Sequence, residues 1–138
     1  MVNEKLVYMG DCVFCKIVAG VLPAYRVYED ERYVAFLDIR PLVKGQVLVT
    51  PKKHCRWVWE VENFGEYWEV ARKVAEKVRH GMVADFVSFL TVGMEIEHAH
   101  IWIIPRMMGQ GLEMGEEAKR LELVEDEMEE VAKKIRAS

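Results

Sequence analysis

Residues 97–106 read Glu-His-Ala-His-Ile-Trp-Ile-Ile-Pro-Arg, an apolar stretch that carries two histidines. Its β-branched residues favour a strand, which we place from Ile96 to Pro105. Because side chains alternate along a strand, His98, His100 and Trp102 are expected on one face. Two alternate histidines on a strand can also be hydrogen-bonded residues without a catalytic role.

The segments that precede this strand predict further strands. The alternating run from Tyr25 to Ile39, interrupted by a turn-like Glu-Asp-Glu, predicts a hairpin, and Gly45 to Thr50 predicts another apolar strand. Phe86 to Thr91 is rich in β-forming residues and can pair with the histidine-bearing strand. We therefore expect an antiparallel sheet of about five strands.

Two amphipathic helices are predicted, one central and one C-terminal. Apolar residues recur at helical spacing between Asn63 and Arg79, and Gly81 is expected to stop this central helix. Glu116 to Ser138 predicts the C-terminal helix, which either packs on its own domain or contacts a second subunit. The central apolar stripe comprises Phe64, Tyr67, Trp68, Ala71, Val74, Ala75 and Val78, and the C-terminal one comprises Leu121, Val124, Met128, Val131 and Ile135.

This order of elements, with early strands, one central helix and then more strands, indicates an α+β fold. A length of 138 residues fits a single domain over residues 1–138, with a core at about 12–106 and a C-terminal loop and helix at 107–138.

The composition excludes several classes of protein. Apolar residues make up 51% and charged residues 30% of the chain, and no apolar run approaches the 18 or so residues that span a bilayer. The net charge of −4, with basic residues scattered among acidic ones, argues against nucleic acid as a partner. Met1 to Gly10 carries no pattern of an export signal, so we expect a cytoplasmic protein that does not bind membranes.

Cys12 and Cys15 stand at C-x-x-C spacing in a chain with three cysteines. In a reducing compartment this spacing suggests metal or redox chemistry more than a structural disulfide. Two buried reduced cysteines are the simpler alternative.

Most of the chain resembles the histidine triad family. The similarity begins at Cys12-Val-Phe-Cys-Lys-Ile-Val and continues through Leu22-Pro-Ala, Tyr28-Glu-Asp-Glu, Ala35-Phe-Leu-Asp-Ile-Arg-Pro and Gly45-Gln-Val-Leu-Val-Thr-Pro-Lys-Lys-His54. It ends in the stretch from His98 to Arg106, which is similar to the family motif His-φ-His-φ-His-φ-φ, where φ is apolar. The resemblance implies a compact α+β fold, usually homodimeric, that cuts or transfers nucleotidyl groups.

The resemblance also implies a role for individual residues. His100 corresponds to the nucleophile that forms a covalent nucleotidyl-imidazole intermediate, and an unperturbed imidazole pKa of about 6.5 leaves much of it neutral near pH 7. Asp38 corresponds to the carboxylate that holds the ribose hydroxyls, although an Asp before Ile-Arg-Pro could simply accept turn amides. Ile17 and Phe36 correspond to walls of the base pocket.

Some members of the family hold zinc with residues that match Cys12, Cys15, His54 and His98. Two thiolates and two imidazoles complete the tetrahedral shell expected of a structural zinc, which would pin the N-terminal segment to the sheet. No organic cofactor is expected. Cys55 is interpreted as a packing residue.

The sequence departs from the family pattern at two places. Trp102 replaces the third histidine, and an indole donates one hydrogen bond but carries no titratable proton; it can stack on a base or narrow the pocket. Met94 and Glu95 stand where the family more often has small polar or amide residues near the phosphate. Regular strand parity would turn Glu95 away from His100, so a solvated surface carboxylate is the alternative to a charge near the phosphate.

The leading hypothesis is a nucleotidyl hydrolase or transferase acting on a purine nucleoside phosphate derivative, with an AMP or GMP moiety, such as a phosphoramidate or a dinucleoside polyphosphate. It expects the ring of His100 to lie open to the phosphoryl group, and Trp102 and Met94 to line the substrate site with Asp38. The second hypothesis is a nucleotide-binding protein with weak or lost catalysis that acts as a sensor or partner-binding module. A third is a zinc-stabilised protein without a nucleotide function.

Overall fold

The computed structural model describes residues 10–114 and 118–138. Most of Met1–Gly10, where we looked for an export signal, and Glu116, where we expected the C-terminal helix to begin, lie outside the described residues. None of the helices in the described part of the chain combines the length and apolar character needed to cross a membrane.

The described residues form helices on both sides of a sheet. The elements are α1 (Val13–Val18), β1 (Arg26–Glu29), β2 (Tyr33–Leu37), β3 (Val47–Pro51), a 3-10 turn (Val58–Glu60), α2 (Phe64–Gly81), β4 (Phe86–Leu90), β5 (Ile101–Arg106) and α3 (Glu125–Arg136).

The sheet has five strands in the order β1-β2-β3-β5-β4, and every neighbouring pair is antiparallel. This confirms the predicted α+β architecture and the predicted pairing of β4 with β5. Among the strands, the observed bounds differ most from the predicted ones at β5, which begins at Ile101 and not at Ile96. His98 and His100 therefore lie in the segment that leads into the strand.

The hairpin of β1 and β2 turns at Asp30. One carboxylate oxygen of Asp30 accepts hydrogen bonds from the amides of Arg32 and Tyr33, each at 2.8 Å, and the other accepts one from the Tyr28 hydroxyl at 2.7 Å. Asp and Asn side chains commonly stabilise turns in this way. The Glu-Asp-Glu sequence was thus a correct indicator of the turn.

The two faces of the sheet pack against different helices. Strands β2 and β3 are buried along their whole length, which requires cover on both sides. Ala35 and Leu37 face the large core formed with α2 and α3, whereas Val34 and Phe36 face the smaller cluster formed with α1. The alternation of a strand explains this division, and it places the α1 side of the sheet apart from the main core.

Helix α2 confirms the predicted central helix, with a shifted apolar stripe. Val70 is buried, whereas Phe64 at the first turn is 45% exposed and Trp68 is half-buried. Gly81 is the last helical residue and does not stop the helix before it. A Cβ at Gly81 would lie 2.9 Å from the Cα of Ile135, so glycine here permits close packing of α2 and α3.

The C-terminal helix is shorter than predicted, because α3 begins at Glu125. Residues 118–124, which we call the strap, have no helical structure, and the Leu121 amide donates to the Pro41 carbonyl at 2.8 Å. Val124, which was expected on the apolar face, is 63% exposed. The helix begins directly after it with an acidic first turn, and carboxylates stabilise the N-terminus of a helix. Helix α3 packs on α2 and β1 of its own chain, as one of the two interpretations expected.

Candidate active site

The two histidines of residues 97–106 lie on the α1 side of the sheet. The Phe14 ring of α1 meets the ring of His98 at 5.8 Å and that of His100 at 5.1 Å between centroids, both edge to face. Trp102 packs against the same cluster. The expectation that His98, His100 and Trp102 share a face is confirmed, although the regular strand starts only at Ile101.

A short hydrogen bond fixes the orientation of the His100 ring. Nδ1 lies 2.7 Å from the His98 carbonyl oxygen and must donate to it, so Nε2 is the unprotonated nitrogen of the neutral ring. Burial lowers the pKa of His100, and it outweighs the hydrogen bond and the charges of Asp38 and Glu95, which act in the opposite direction. The ring is therefore held as a neutral base with an unprotonated Nε2.

A cavity of about 760 Å³ opens on this face of the sheet. Four predicted binding residues line it: Ile17, Phe36, Asp38 and Trp102. Met94 is 78% exposed and is not among the lining residues of the described chain, so its predicted substrate contact has no support from the geometry.

His100 is less accessible than we expected. Its residue is 6% exposed and does not itself line the cavity, because Phe14 packs edge-on against the ring and forms the cavity wall there. The expectation of an open ring is wrong.

Asp38 is held by the loop that follows β2. One of its oxygens accepts the Arg40 amide at 2.9 Å, and the other accepts the side-chain amide of Gln46 at 3.0 Å. Gln46 is buried, and its oxygen accepts the Leu42 amide at 2.8 Å. The turn interaction thus exists, and since a carboxylate offers about four acceptor sites, Asp38 also retains capacity for hydroxyl groups in the cavity.

Glu95 lies at the cavity and not on the opposite face. The segment before Ile101 is irregular, so the parity argument that turned Glu95 away is wrong. Its exposed side chain lines both the main cavity and an adjoining one of about 460 Å³. Glu97, in contrast, forms an ion pair with Arg56.

Sequence reasoning missed Arg120, which lines the cavity from the strap. Its guanidinium carbon lies 5.0 Å from the centroid of the Trp102 ring, and one of its nitrogens lies 3.8 Å from a carboxylate oxygen of Asp38. The helical pattern assigned to residues 116–138 concealed this residue, because it placed Arg120 on the first turns of a helix. The sequence carried no signal for this position, because the alternation of half-buried Ala118, exposed Lys119 and half-buried Arg120 becomes visible only in the structure.

Cys12, Cys15, His54 and His98 converge beside the cavity, and their ligand atoms all lie within 4.8 Å of one another. Nδ1 of His98 lies 3.3 Å from Sγ of Cys12 and 3.2 Å from Nδ1 of His54, which in turn lies 3.2 Å from Sγ of Cys15. Zinc bonds of about 2.3 Å to sulfur and 2.0–2.1 Å to nitrogen imply ligand-to-ligand edges of about 3.3–3.8 Å in a tetrahedron. These three distances lie at the short end of that range, and all four ligand atoms lie within 4.8 Å of one another, so small side-chain adjustments would suffice to hold such an ion.

The protonation state of the cluster also suits a cation. Nε2 of His98 donates a hydrogen bond to the Pro51 carbonyl at 2.8 Å. Nδ1 is therefore unprotonated, and its lone pair is directed at the other three side chains of the group. Burial lowers the pKa of His98 to about 4, so the ring is neutral. Burial and the neighbouring Cys12 raise the pKa of the Cys15 thiol to about 12. A bound cation would lower this pKa again, because it stabilises the thiolate. Cys55 lies outside the group and packs against the main core, as predicted.

The family profile of the HIT domain matches residues 19–109, which is more than half of the chain. The chain belongs to the HIT family. This HIT protein is 38% identical over 132 residues to an uncharacterized HIT-like protein of Methanocaldococcus jannaschii, covering 91% of this chain and 98% of that one. A crystal structure of a HIT-like protein from Bartonella henselae superposes with a TM-score of 0.80 at 31% identity and covers 94% of this chain and 98% of that one.

Two further relatives of this HIT protein have names that bear on chemistry. A crystal structure from Mycobacterium smegmatis, described as a Zn-bound histidine triad family protein, has a TM-score of 0.77 and 30% identity, and covers 93% of this chain and 92% of that one. The adenosine 5'-monophosphoramidase of Saccharomyces cerevisiae is 29% identical over 100 residues, which span 69% of this chain and 62% of the yeast protein.

Proposed function

We propose that this HIT protein is a nucleotidyl hydrolase or transferase that uses His100 as its nucleophile. The observation that carries the proposal is the hydrogen bond from His100 Nδ1 to the His98 carbonyl, which leaves Nε2 as an unprotonated nitrogen held in one orientation. An imidazole in this state is a competent nucleophile toward phosphorus near neutral pH.

The proposed reaction has two displacement steps. The Nε2 lone pair forms a bond to the nucleotide phosphorus while the bond from phosphorus to the leaving nitrogen or oxygen breaks, and the leaving group takes a proton from solvent. A water molecule, or the hydroxyl group of another acceptor, then forms a new bond to phosphorus and releases its proton to solvent, while the N–P bond breaks and its electron pair returns to Nε2 of the neutral ring. Covalent catalysis accelerates such a reaction because it replaces one difficult displacement with two easier ones.

The cavity favours a nucleoside phosphate derivative as the substrate. Ile17 and Phe36 offer apolar walls for a purine, and the free acceptor capacity of Asp38 suits ribose hydroxyls. The name of the yeast relative supports a phosphoramidate among the substrates, and a dinucleoside polyphosphate contains the same nucleotidyl group.

We also propose that Cys12, Cys15, His54 and His98 hold a structural zinc ion in this protein. The ligand spacing and the zinc-bound relative support this assignment. The four ligands would link α1, the segment after β3 and the segment before β5, and so hold Phe14 against His100. No organic cofactor is needed for the proposed displacement.

A second candidate function is nucleotide binding without turnover. The 6% exposure of His100, the loss of the third histidine at Trp102 and the carboxylate of Glu95 at the cavity favour it. Such a protein would serve as a sensor or as a partner-binding module.

One experiment separates the two candidates. Adenosine phosphoramidate is incubated with the wild type and with His100→Ala, and the products are followed by phosphorus NMR. The enzymatic proposal expects turnover by the wild type and at least a thousandfold slower turnover by the variant. Equal rates refute it, and saturable AMP binding without turnover by the wild type identifies the second candidate.

We further propose a homodimer joined along β4. Within the described residues β4 pairs with β5 alone, so its other edge presents free backbone groups. Phe89 on this strand is 42% exposed, and the nearby Trp68 has a buried indole N–H without a partner in the described chain. Strand pairing across a two-fold axis would cover these groups. None of the three cysteines, all of which lie in the described part of the chain, forms a disulfide, which suits the cytoplasmic location that we propose.

A further inference from the structure

Arg120 is placed at the cavity by a specific backbone arrangement of the strap. One of its guanidinium nitrogens donates to the Arg40 carbonyl at 3.1 Å, and the adjacent Leu121 amide bonds to Pro41. Ala118 and Arg120 line the cavity, whereas Lys119 between them is exposed. The strap is thus fixed to the loop after β2 with one cationic side chain directed inward.

The guanidinium lies between two residues of the nucleotide site. It is stacked over the Trp102 ring and comes within 3.8 Å of Asp38, with 26% of its side chain exposed. A guanidinium carries five N–H donors, and the hydrogen bond to Arg40 uses one of them. Donors therefore remain for a ligand in the cavity, and stacking on an aromatic ring limits the freedom of the side chain.

Charged side chains of both signs line the cavity: the carboxylates of Asp38 and Glu95 and the guanidinium groups of Arg40 and Arg120. Arg40 is exposed whereas Arg120 is half-buried, so Arg120 is the better placed of the two to offset Glu95 at a bound phosphate. Trp102 stands where the family resemblance places a third histidine and can supply one neutral N–H donor. The indole N–H is itself buried and has no partner in the described chain.

We propose that Arg120 binds the phosphate oxygens of the nucleotide and that Trp102 is the platform that positions its guanidinium, so that the pair takes the place of the third histidine. The proposal rests on the nucleotide function proposed above and assigns the phosphate recognition of that site. The competing explanation is that Arg120 merely anchors the strap to the loop after β2.

The test compares AMP with adenosine, two ligands that differ by the phosphate. Dissociation constants for both are measured by calorimetry or competition on the zinc-loaded full-length wild type and on Arg120→Gln, Arg120→Lys and Lys119→Gln. Lys119→Gln is the matched control, because it removes one charge from the same strap at an outward-facing position. Thermal midpoints establish that every variant is folded.

We expect Arg120→Gln to weaken AMP binding about 10- to 100-fold, as for the loss of a charge-assisted hydrogen bond, and to change adenosine binding less than about threefold. Arg120→Lys should retain part of the AMP affinity, and Lys119→Gln should match the wild type. Equal weakening of AMP and adenosine, or no change in either, overturns the role of Arg120 while leaving the nucleotide function intact. A wild type that binds neither ligand overturns both.

Discussion

At the scale of single residues, the site combines the neutral His100 with two charged side chains, Glu95 and Arg120, whose positions the sequence did not predict. His98, His100 and Trp102 share a face as the spacing predicted, although the regular strand begins only at Ile101. Glu95 lies further back, where the chain bends, and strand parity no longer predicts its direction. The accessibility of His100 was also beyond prediction, since it depends on how Phe14 of α1 packs against the ring.

Glu95 provides the first prediction. A carboxylate about 6 Å from a phosphate costs roughly 3 kcal/mol at an effective dielectric near 20, and the exposure of Glu95 reduces this cost further through solvent and salt. We expect Glu95→Gln to tighten AMP binding about tenfold at low salt, with a smaller effect at high salt. Calorimetric titration at two ionic strengths measures this, and Glu122→Gln, an exposed acid on the strap, is the control. Unchanged AMP affinity would show that Glu95 does not act on the phosphate.

At the scale of elements, strands and helices were predictable where burial imposes a period. The stripe of α2 follows from apolar spacing, and β2 and β3, which are buried on both faces, follow from runs of apolar residues. The strap was misassigned because Leu121 and Val124 fit a helical pattern that continues into Met128 and Val131. What decides their structure is non-local, namely the hydrogen bonds of the strap to Arg40 and Pro41, which single-sequence periodicity does not contain.

The β1–β2 turn yields a prediction of pH-dependent stability. Burial opposes ionisation of Asp30, but hydrogen bonds from Tyr28, Arg32 and Tyr33 outweigh it and hold the pKa of Asp30 below its usual range. Because the folded-state pKa is depressed, this contribution is present above the unfolded pKa of about 4 and is lost as the pH falls through the folded-state pKa.

We expect Asp30→Ala to lower the free energy of unfolding by about 1–2 kcal/mol at pH 7, as for the loss of a capping carboxylate. The difference from the wild type should shrink below pH 4. Urea denaturation across pH 3–7 measures both quantities, with Glu31→Gln in the same turn as the control. A difference that is constant over this pH range would contradict the role of the ionised carboxylate.

The proposed zinc site gives a prediction about thermal stability. A ligand that binds the folded state alone stabilises it by about 2.7 kcal/mol at a hundredfold excess over its Kd, which corresponds to roughly 10 °C in Tm for a domain of this size. We expect one zinc ion per chain, and a decrease of about 10 °C on chelation.

Cys15→Ser should abolish stoichiometric zinc binding, and Cys55→Ser, next to the proposed ligand His54, should retain it. Elemental analysis and thermal unfolding with and without chelator provide the data. Zinc-free wild type with an unaltered Tm after chelation would exclude the structural zinc.

At the scale of the whole molecule, the exposed edge of β4 predicts the oligomeric state. Phe89→Lys places a charge on the half-exposed strand that we assign to the dimer interface, so the variant should elute as a monomer while the wild type elutes as a dimer. Val21→Lys, on an exposed apolar residue of the loop after α1, should remain dimeric. Light scattering coupled to gel filtration distinguishes these outcomes, and a monomeric wild type, or a dimer that Phe89→Lys leaves intact, would contradict the assignment.

The most direct test of the account is the covalent state of His100 during turnover. The wild type and His100→Asn are mixed with adenosine phosphoramidate, and samples are denatured at alkaline pH after successive intervals. Intact-protein mass spectrometry measures the mass of each sample, and peptide mapping locates any adduct. If His100 is the nucleophile, the wild type gains one adenylyl group transiently on His100 and the variant gains none. Wild-type protein that stays unmodified at every interval would contradict this role.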